Sequence, residues 1–157
     1  VIPFFQKKIE DGEDVPLTDP NMTRFLITAK EAVHLVFNAI KYSTGGEIFI
    51  PRLPSFKISD LIGYLKNKSD AKNKIKVIGL RPGEKLHEIM ISDVEAPRTV
   101  EFHNMLVIRS EIEKYQQNQK IYHYLKNCKK FNSREFSSEH HLLDAEGIEK
   151  FFGKRKI

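Results

Sequence analysis

The sequence predicts a mixed α/β domain. Three observations carry that expectation. Apolar residues recur at helical spacing in several windows, short apolar runs of strand length stand between those windows, and Gly and Pro punctuate the changes of period. Helical and strand-like segments therefore alternate along the 157 residues, a length that suits one domain able to bury a core.

Val1 to Glu10 puts apolar side chains at 1, 2, 4, 5 and 9, a helical stripe, and Gly12 stands where a C-cap is expected. The stretch EDVPLTDPNMTRFLIT reads as loop, short extended piece, loop and strand, with Pro16 and Pro20 as breakers. From Thr28 the period changes. Thr28 and Glu31 form a capping-box signature, and Ala32, Leu35, Val36, Ala39 and Ile40 share one helical face. Gly45 and Gly46 stop that helix, EIFIP is a short strand, and ISDLIGYLKNK is a helix with Ile58, Leu61, Ile62 and Leu65 inward.

KIKVIGL follows as a strand. A short helix is expected around Leu86 to Met90, then an acidic loop to Pro97 and a strand in NMLVIRS. Residues 111–135 are polar, the part from Glu111 to Lys130 is helix-permissive, and aromatics gather at Tyr122 and Tyr124. The last element, LLDAEGIEKFFG, predicts a helix over about 144–152, capped by Asp144 and ended by Gly153. No internal repeat or low-complexity linker interrupts the chain.

Composition narrows the function. A hydrophobic share of 40% with 30% charged residues is that of a globular protein. No run approaches the roughly 18 apolar residues of a membrane span, no secretory signal opens the chain, and a cytoplasmic protein is expected. The sequence opens on Val1 inside an amphipathic stretch, so it is expected to begin part-way through a gene product. The single cysteine, Cys128, has no partner for an internal disulfide and reads as a bystander. A net charge of +5 admits nucleic acid, nucleotides or phosphosugars. Lysines are spread along the whole chain, without the aromatic interleaving of a single-strand platform and without helix-turn-helix or zinc-finger spacing. His140 and His141 beside Glu139 have no metal-ligand spacing, so no metal is expected. His87 reads as a local helix residue, and the basic end GKRK as a solvated tail.

The stretch KVIGLRPGEKLHEIM, Lys76 to Met90, asks for a partner. A tight turn needs Pro82 and Gly83, but not an arginine before them and a glutamate after them. A guanidinium is a planar fork that suits diphosphate oxygens, and a carboxylate is an acceptor that suits paired ribose hydroxyls. Arg81 and Glu84 supply both on one turn at a strand end, a usual address for a ligand in α/β folds. A structural ion pair on a surface turn fits the same pattern, and an arginine capping carbonyls fits Arg24 in MTRFLIT. The residues alone leave these readings open.

PLTDPNMTRFLIT, then a helix, then GGEIFIP, then GLRPGEKLHE resembles the C-terminal half of the inverting UDP-N-acetylglucosamine 4,6-dehydratases, extended short-chain dehydrogenase/reductases of capsule and glycan synthesis. The resemblance covers about residues 1–110 and is weaker over 111–157, where FSSEHH is similar to a Tyr-Ser-Ser element of the family. It implies that the chain is the mixed α+β substrate-binding portion of an extended Rossmann-type enzyme, 1–157, with the N-terminal cofactor-binding sheet absent. It implies that Val1, Pro3, Phe4, Leu17 and Thr18 line uracil and ribose. Arg24 and Arg81 would reach the diphosphate, and Glu84 would accept from the ribose hydroxyls of a UDP-N-acetylhexosamine.

The resemblance further implies NADP chemistry in the complete enzyme: oxidation at C4, loss of the C5 proton, elimination of water across C5 and C6, and return of hydride at C6, with 5-epimerisation left open. The family's glycine-rich NADP loop has no match here, and its Tyr-x-x-x-Lys pair should precede Val1. The two such strings present, at Tyr64 and Tyr122, fall after the nucleotide motifs, so no catalytic or cofactor-binding residue is expected in this chain. A homo-oligomer is expected of the complete enzyme. A stand-alone UDP-sugar-binding module and a basic nucleic-acid-binding domain are the alternatives. If the helix from Glu31 to Ile40 normally packs on the cofactor domain, its apolar face is expected to be exposed here.

Overall fold

The computed structural model describes residues 1–112 and 123–153. Its helices are α1 (Ile2–Glu10), α2 (Ala29–Tyr42), α3 (Ile58–Lys68) and α4 (Ala145–Gly153). The strands are β1 (Val15–Leu17), β2 (Thr23–Phe25), β3 (Ile48–Pro51), β4 (Ser55–Lys57), β5 (Ile75–Val77), β6 (Ile89–Ile91), β7 (Thr99–Phe102), β8 (Met105–Ile108), β9 (Lys129–Lys130) and β10 (Phe136–Ser137). They fall into two compact units built from interleaved segments: Val1–Leu26, Pro54–Glu88 and the chain from Ser138 onward form one, Ile27–Leu53 and Ile89–Ser137 the other.

In the first unit, α1, α3 and α4 contribute to a core of Phe5, Ile9, Val15, Leu17, Met22, Phe56, Leu61, Ile62, Leu65, Ile148 and Phe152. The predicted inward residues of α3 are all buried, because positions 58, 61, 62 and 65 recur on one face of a 3.6-residue helix. Each such side chain contributes about 2 kcal/mol by leaving water. α4 starts where Asp144 accepts the Gly147 amide at 2.8 Å, and its Phe152 stacks on Tyr64 with ring centroids 5.4 Å apart. Two short sheets frame this core. β2 pairs antiparallel with β4, and β1 pairs parallel with β5 in the register Val15↔Ile75 and Leu17↔Val77. The parallel ladder runs past both strands, since Ile78 donates to the Leu17 carbonyl and Gly79 to the Thr18 carbonyl.

In the second unit an antiparallel sheet runs β3-β8-β7-β9. Val100, Phe102, Met105, Val107 and Leu125 form its core cluster, against which Leu35, Tyr42 and Tyr124 pack. The capping box is present as predicted: Thr28 Oγ1 accepts the Glu31 amide at 3.2 Å, and the Glu31 carboxylate accepts the Thr28 amide at 2.9 Å. After α2, Gly45 and Gly46 take positive φ, and Glu47 gathers the amides of Thr44 and Gly45 together with the Tyr124 hydroxyl.

One expectation is corrected and one strand was not foreseen. Residues 86–90 are not helical: Ile89–Ile91 is a strand paired with Phe136–Ser137, a long-range partner that outweighs a weak local helical pattern. The apolar face of α2 is open, in line with the exposure expected of it: Leu35 packs against the core cluster, and no residue of the helix is buried. Val33, Val36, Phe37 and Ile40 are 52–72% exposed, because periodicity reveals an apolar stripe without saying what covers it. A strand at Thr99–Phe102 went unread; it turns through His103 and Asn104, with His103 at φ 51°, into β8. The expectations for 113–122, and for the basic end after Gly153, lie outside the described residues.

Candidate functional site

The sequence-predicted turn is present, and its local chemistry explains it. The Glu84 amide donates to the Arg81 carbonyl at 3.0 Å, with Pro82 second in the turn and Gly83 third at φ +81°. Proline presets the first of those torsions and glycine tolerates the second, the requirement of a type II turn. Three residues separate the turn from the end of β5. Thr18 and the Arg81–Glu84 turn therefore both lie past the carboxyl ends of the parallel β1–β5 pair, where open α/β sheets bind ligands.

Glu84 turns back on the turn's own backbone. One carboxylate oxygen accepts the Arg81 amide at 3.2 Å, and the other faces the Thr18 hydroxyl at 3.5 Å. Among the described residues the carboxylate is thus oriented without any cation. Arg81 is exposed, and among the described residues its guanidinium makes no ion pair. The surface ion-pair reading of Arg81 with Glu84 does not describe this turn.

Arg24 is placed differently. Its Nη1 donates to the carbonyls of Thr23 at 2.7 Å and Leu86 at 3.1 Å, its Nη2 to that of Lys85 at 2.8 Å, and its Nε faces Glu88 at 3.5 Å. The fork is occupied by backbone, which leaves one Nη2 hydrogen to offer. Leu17 is 3% exposed and belongs to the core, so it sets the register of Thr18 rather than presenting a side chain. Val1, Pro3 and Phe4 are exposed on the first turn of α1, and no hydrogen bond, ion pair or ring contact joins them to Thr18, Arg81 or Glu84 among the described residues. The structure thus brings together Thr18, Arg81 and Glu84 and ties Arg24 to the segment after them.

Sequence reasoning missed Thr23, His87 and Ser138. Thr23 Oγ1 lies 2.8 Å from His87 Nδ1 and 2.6 Å from Ser138 Oγ. A buried Thr next to Arg24 and the FSSEHH string were visible as residues, but nothing local joins positions 115 apart. Cys128 is half-buried, and burial pushes its thiol above the ordinary range, the opposite of what a nucleophile needs. Tyr64 is packed on Phe152, and Tyr122 lies outside the described residues. Among the described residues no group of His, Cys, Asp or Glu could hold a metal ion, and no helix is long and apolar enough to cross a membrane.

This geometry can be set beside known proteins. Residues 1–110 match the family described as polysaccharide biosynthesis protein. The chain belongs to that family. Over 114 residues, 72% of this chain and 33% of the relative, it is 45% identical to the UDP-N-acetylglucosamine 4,6-dehydratase (inverting) of Campylobacter jejuni. It is 38% identical over 104 residues, 66% of this chain and 30% of the relative, to the UDP-glucose 4-epimerase of Rickettsia bellii. The X-ray structure of Pen from Bacillus thuringiensis superposes with a TM-score of 0.82 at 28% identity, covering 98% of this chain and 45% of that one. The chain spans about a third of the length of these curated relatives. Its mixed α/β fold is thus shared with this structure, and the resemblance read from PLTDPNMTRFLIT and GLRPGEKLHE lies within the matched region of the polysaccharide biosynthesis family.

Proposed function

We propose that this chain is the nucleotide-sugar-binding part of a UDP-N-acetylglucosamine 4,6-dehydratase in polysaccharide or glycan biosynthesis. The observation that carries the reading is the Arg81–Glu84 turn: an arginine with no ion-pair partner among the described residues and a carboxylate held beside Thr18, both past the ends of β1 and β5. Arg81 meets the diphosphate with its fork, and Glu84 accepts from the ribose hydroxyls. Arg24 adds positive charge and its remaining Nη2 hydrogen from a fixed position. Val1, Pro3 and Phe4 offer an apolar surface to the uracil. The chain's contribution to the reaction is to bind and orient the sugar, which lowers a barrier by fixing geometry before chemistry begins.

The complete enzyme is proposed to be an NADP-dependent lyase acting on a UDP-N-acetylhexosamine, cytoplasmic and homo-oligomeric, with NADP supplying the redox chemistry. The residues present here do not fit that cofactor. The eight glycines include no Gly-x-x-Gly-x-x-Gly cradle; Gly79 and Gly83 belong to the site turn and its approach, and Gly45 and Gly46 follow α2. The chain alone is accordingly proposed to bind without turnover.

Calorimetric titration with UDP and UDP-N-acetylglucosamine tests the reading. Arg81→Ala is expected to weaken binding by about 10- to 100-fold, the loss of hydrogen bonds to a charged group. Equal affinities for the parent chain and Arg81→Ala overturn the assignment.

A further inference from the structure

Thr23, His87 and Ser138 form a buried polar chain whose direction is set by counting hydrogens. Ser138 Oγ accepts the Glu88 amide at 2.9 Å and lies 2.6 Å from Thr23 Oγ1, which lies 2.8 Å from His87 Nδ1. Thr23 is 1% exposed and Ser138 0%. Each hydroxyl owns one hydrogen. If Ser138 donates to Thr23 and Thr23 donates to a bare Nδ1, every hydrogen has an acceptor. In the opposite direction Nδ1–H donates to Thr23 and Thr23 to Ser138. The Ser138 hydrogen is then left without an acceptor among the described residues, inside the protein, where an unmade hydrogen bond is expensive. The first direction puts the ring proton on Nε2, which faces a carboxylate oxygen of Glu139 at 3.9 Å.

We infer that His87 is a positioning residue of the nucleotide-sugar site: an imidazole, bare at Nδ1, that terminates a one-way chain from the Glu88 amide through Ser138 and Thr23. The inference rests on the proposed UDP-binding role for its functional consequence. Its reach follows from what else the same segment holds. The Leu86 carbonyl accepts both the Thr23 amide at 3.0 Å and Arg24 Nη1, the Lys85 carbonyl accepts Arg24 Nη2, and Ser138 donates its amide to Glu88 at 2.8 Å. Glu84 is the residue immediately before this segment. Residues 85–88 are therefore laced to β2 by backbone bonds, by the Arg24 fork and by the His87 ring. The ring is the side chain of the segment that reaches the Thr23 hydroxyl. Removing its acceptor strands the Thr23 hydrogen and loosens one of the ties on the strip from which Glu84 hangs.

The test uses the 157-residue chain with His87→Ala, His87→Asn, Thr23→Val and Ser138→Ala. The asparagine amide oxygen occupies the place of Nδ1 and preserves the acceptor. Nitrogen NMR of the parent is expected to show an unprotonated His87 Nδ1. His87→Ala and Thr23→Val are expected to lower UDP affinity by about tenfold, the equivalent of one or two buried hydrogen bonds. His87→Asn is expected to stay near the parent affinity. Thermal melting accompanies each titration, and a loss of affinity in a variant that is folded throughout the titration separates positioning from unfolding.

A protonated Nδ1 in the parent, or an His87→Asn variant as weak as His87→Ala, overturns the inference. If the parent chain binds no UDP, the proposed function fails by itself. Amide exchange then decides the positioning: fast exchange of the Thr23 and Glu88 amides in His87→Ala, slowed again in His87→Asn, upholds it, and unchanged protection in His87→Ala overturns it.

Discussion

Arg24 Nη2 donates to the carbonyl oxygen of Lys85 at 2.8 Å, which ties a strand residue to the segment just past the Arg81–Glu84 turn. The two arginines picked out by sequence therefore do different work. One is anchored in backbone carbonyls while the other stands exposed.

Arg24→Lys keeps the charge and loses the fork. An ammonium cannot reach the carbonyls of Thr23, Lys85 and Leu86 together. The substitution is expected to lower stability by about 1–3 kcal/mol, read as a lower urea midpoint at unchanged slope. Arg81→Ala, at an exposed position, is expected to move the midpoint by no more than about 0.5 kcal/mol. A reversed order of the two would contradict the division of roles.

Gly83 sits at φ +81° with no atom within 4 Å of where a Cβ would stand. Gly83→Ala therefore meets no clash, and its cost is backbone strain of about 1 kcal/mol. The relaxed turn reorients Arg81 and Glu84. UDP affinity is expected to fall by more than the stability loss explains, measured by titration and melting on the same sample.

Glu47 is subject to burial, which raises its carboxyl pKa, but the hydrogen bonds from Thr44 and Gly45 outweigh it and hold the group below the ordinary carboxylate value. Glu95 is lowered by the hydroxyl and amide of Ser92, against a smaller effect of burial. A depressed carboxyl contributes stability that is present above its unfolded pKa, about 4.3, and is lost as pH falls through the folded value. The contribution of these two carboxylates is thus expected to be flat near pH 7 and to decline below about pH 4.5. Glu47→Gln with Glu95→Gln is expected to be less stable at pH 7 and to show a shallower acid limb in denaturant titrations. An unaltered acid limb would contradict this account.

Val33, Val36, Phe37 and Ile40 line an exposed stripe of α2 at 52–72% exposure. Exposed apolar patches drive association. The 157-residue chain is expected to self-associate with rising concentration in sedimentation, and Phe37→Lys with Ile40→Lys to suppress this without lowering the melting temperature. A parent chain that stays monomeric at high concentration refutes the expectation.

Where local chemistry decides, the sequence was legible. The capping box of Thr28 and Glu31, the inward row of α3, the Asp144 cap and the Pro82-Gly83 turn each depend on residues within a few positions of one another. The features that depend on distant partners were not. β6 is a strand because Phe136 and Ser137 pair with it. The apolar stripe of α2 announces a helix but not its cover. The Arg24 fork looks the same in sequence whether it holds phosphate or carbonyls. The His87 chain needed a residue 115 positions from Thr23.

That separation has a kinetic meaning. Loop closure over so long a stretch must precede the contact that rewards it, which delays assembly of the strip carrying Glu84. On the ribosome, β2 and residues 85–88 emerge well before Ser138. Until then the Thr23 hydroxyl and the Glu88 amide have only water or each other's neighbours to bond. The hydroxyl chain is therefore finished late in synthesis, and a nascent chain stalled before residue 138 carries the residues proposed to recognise the nucleotide without the Ser138 bonds to Thr23 and Glu88.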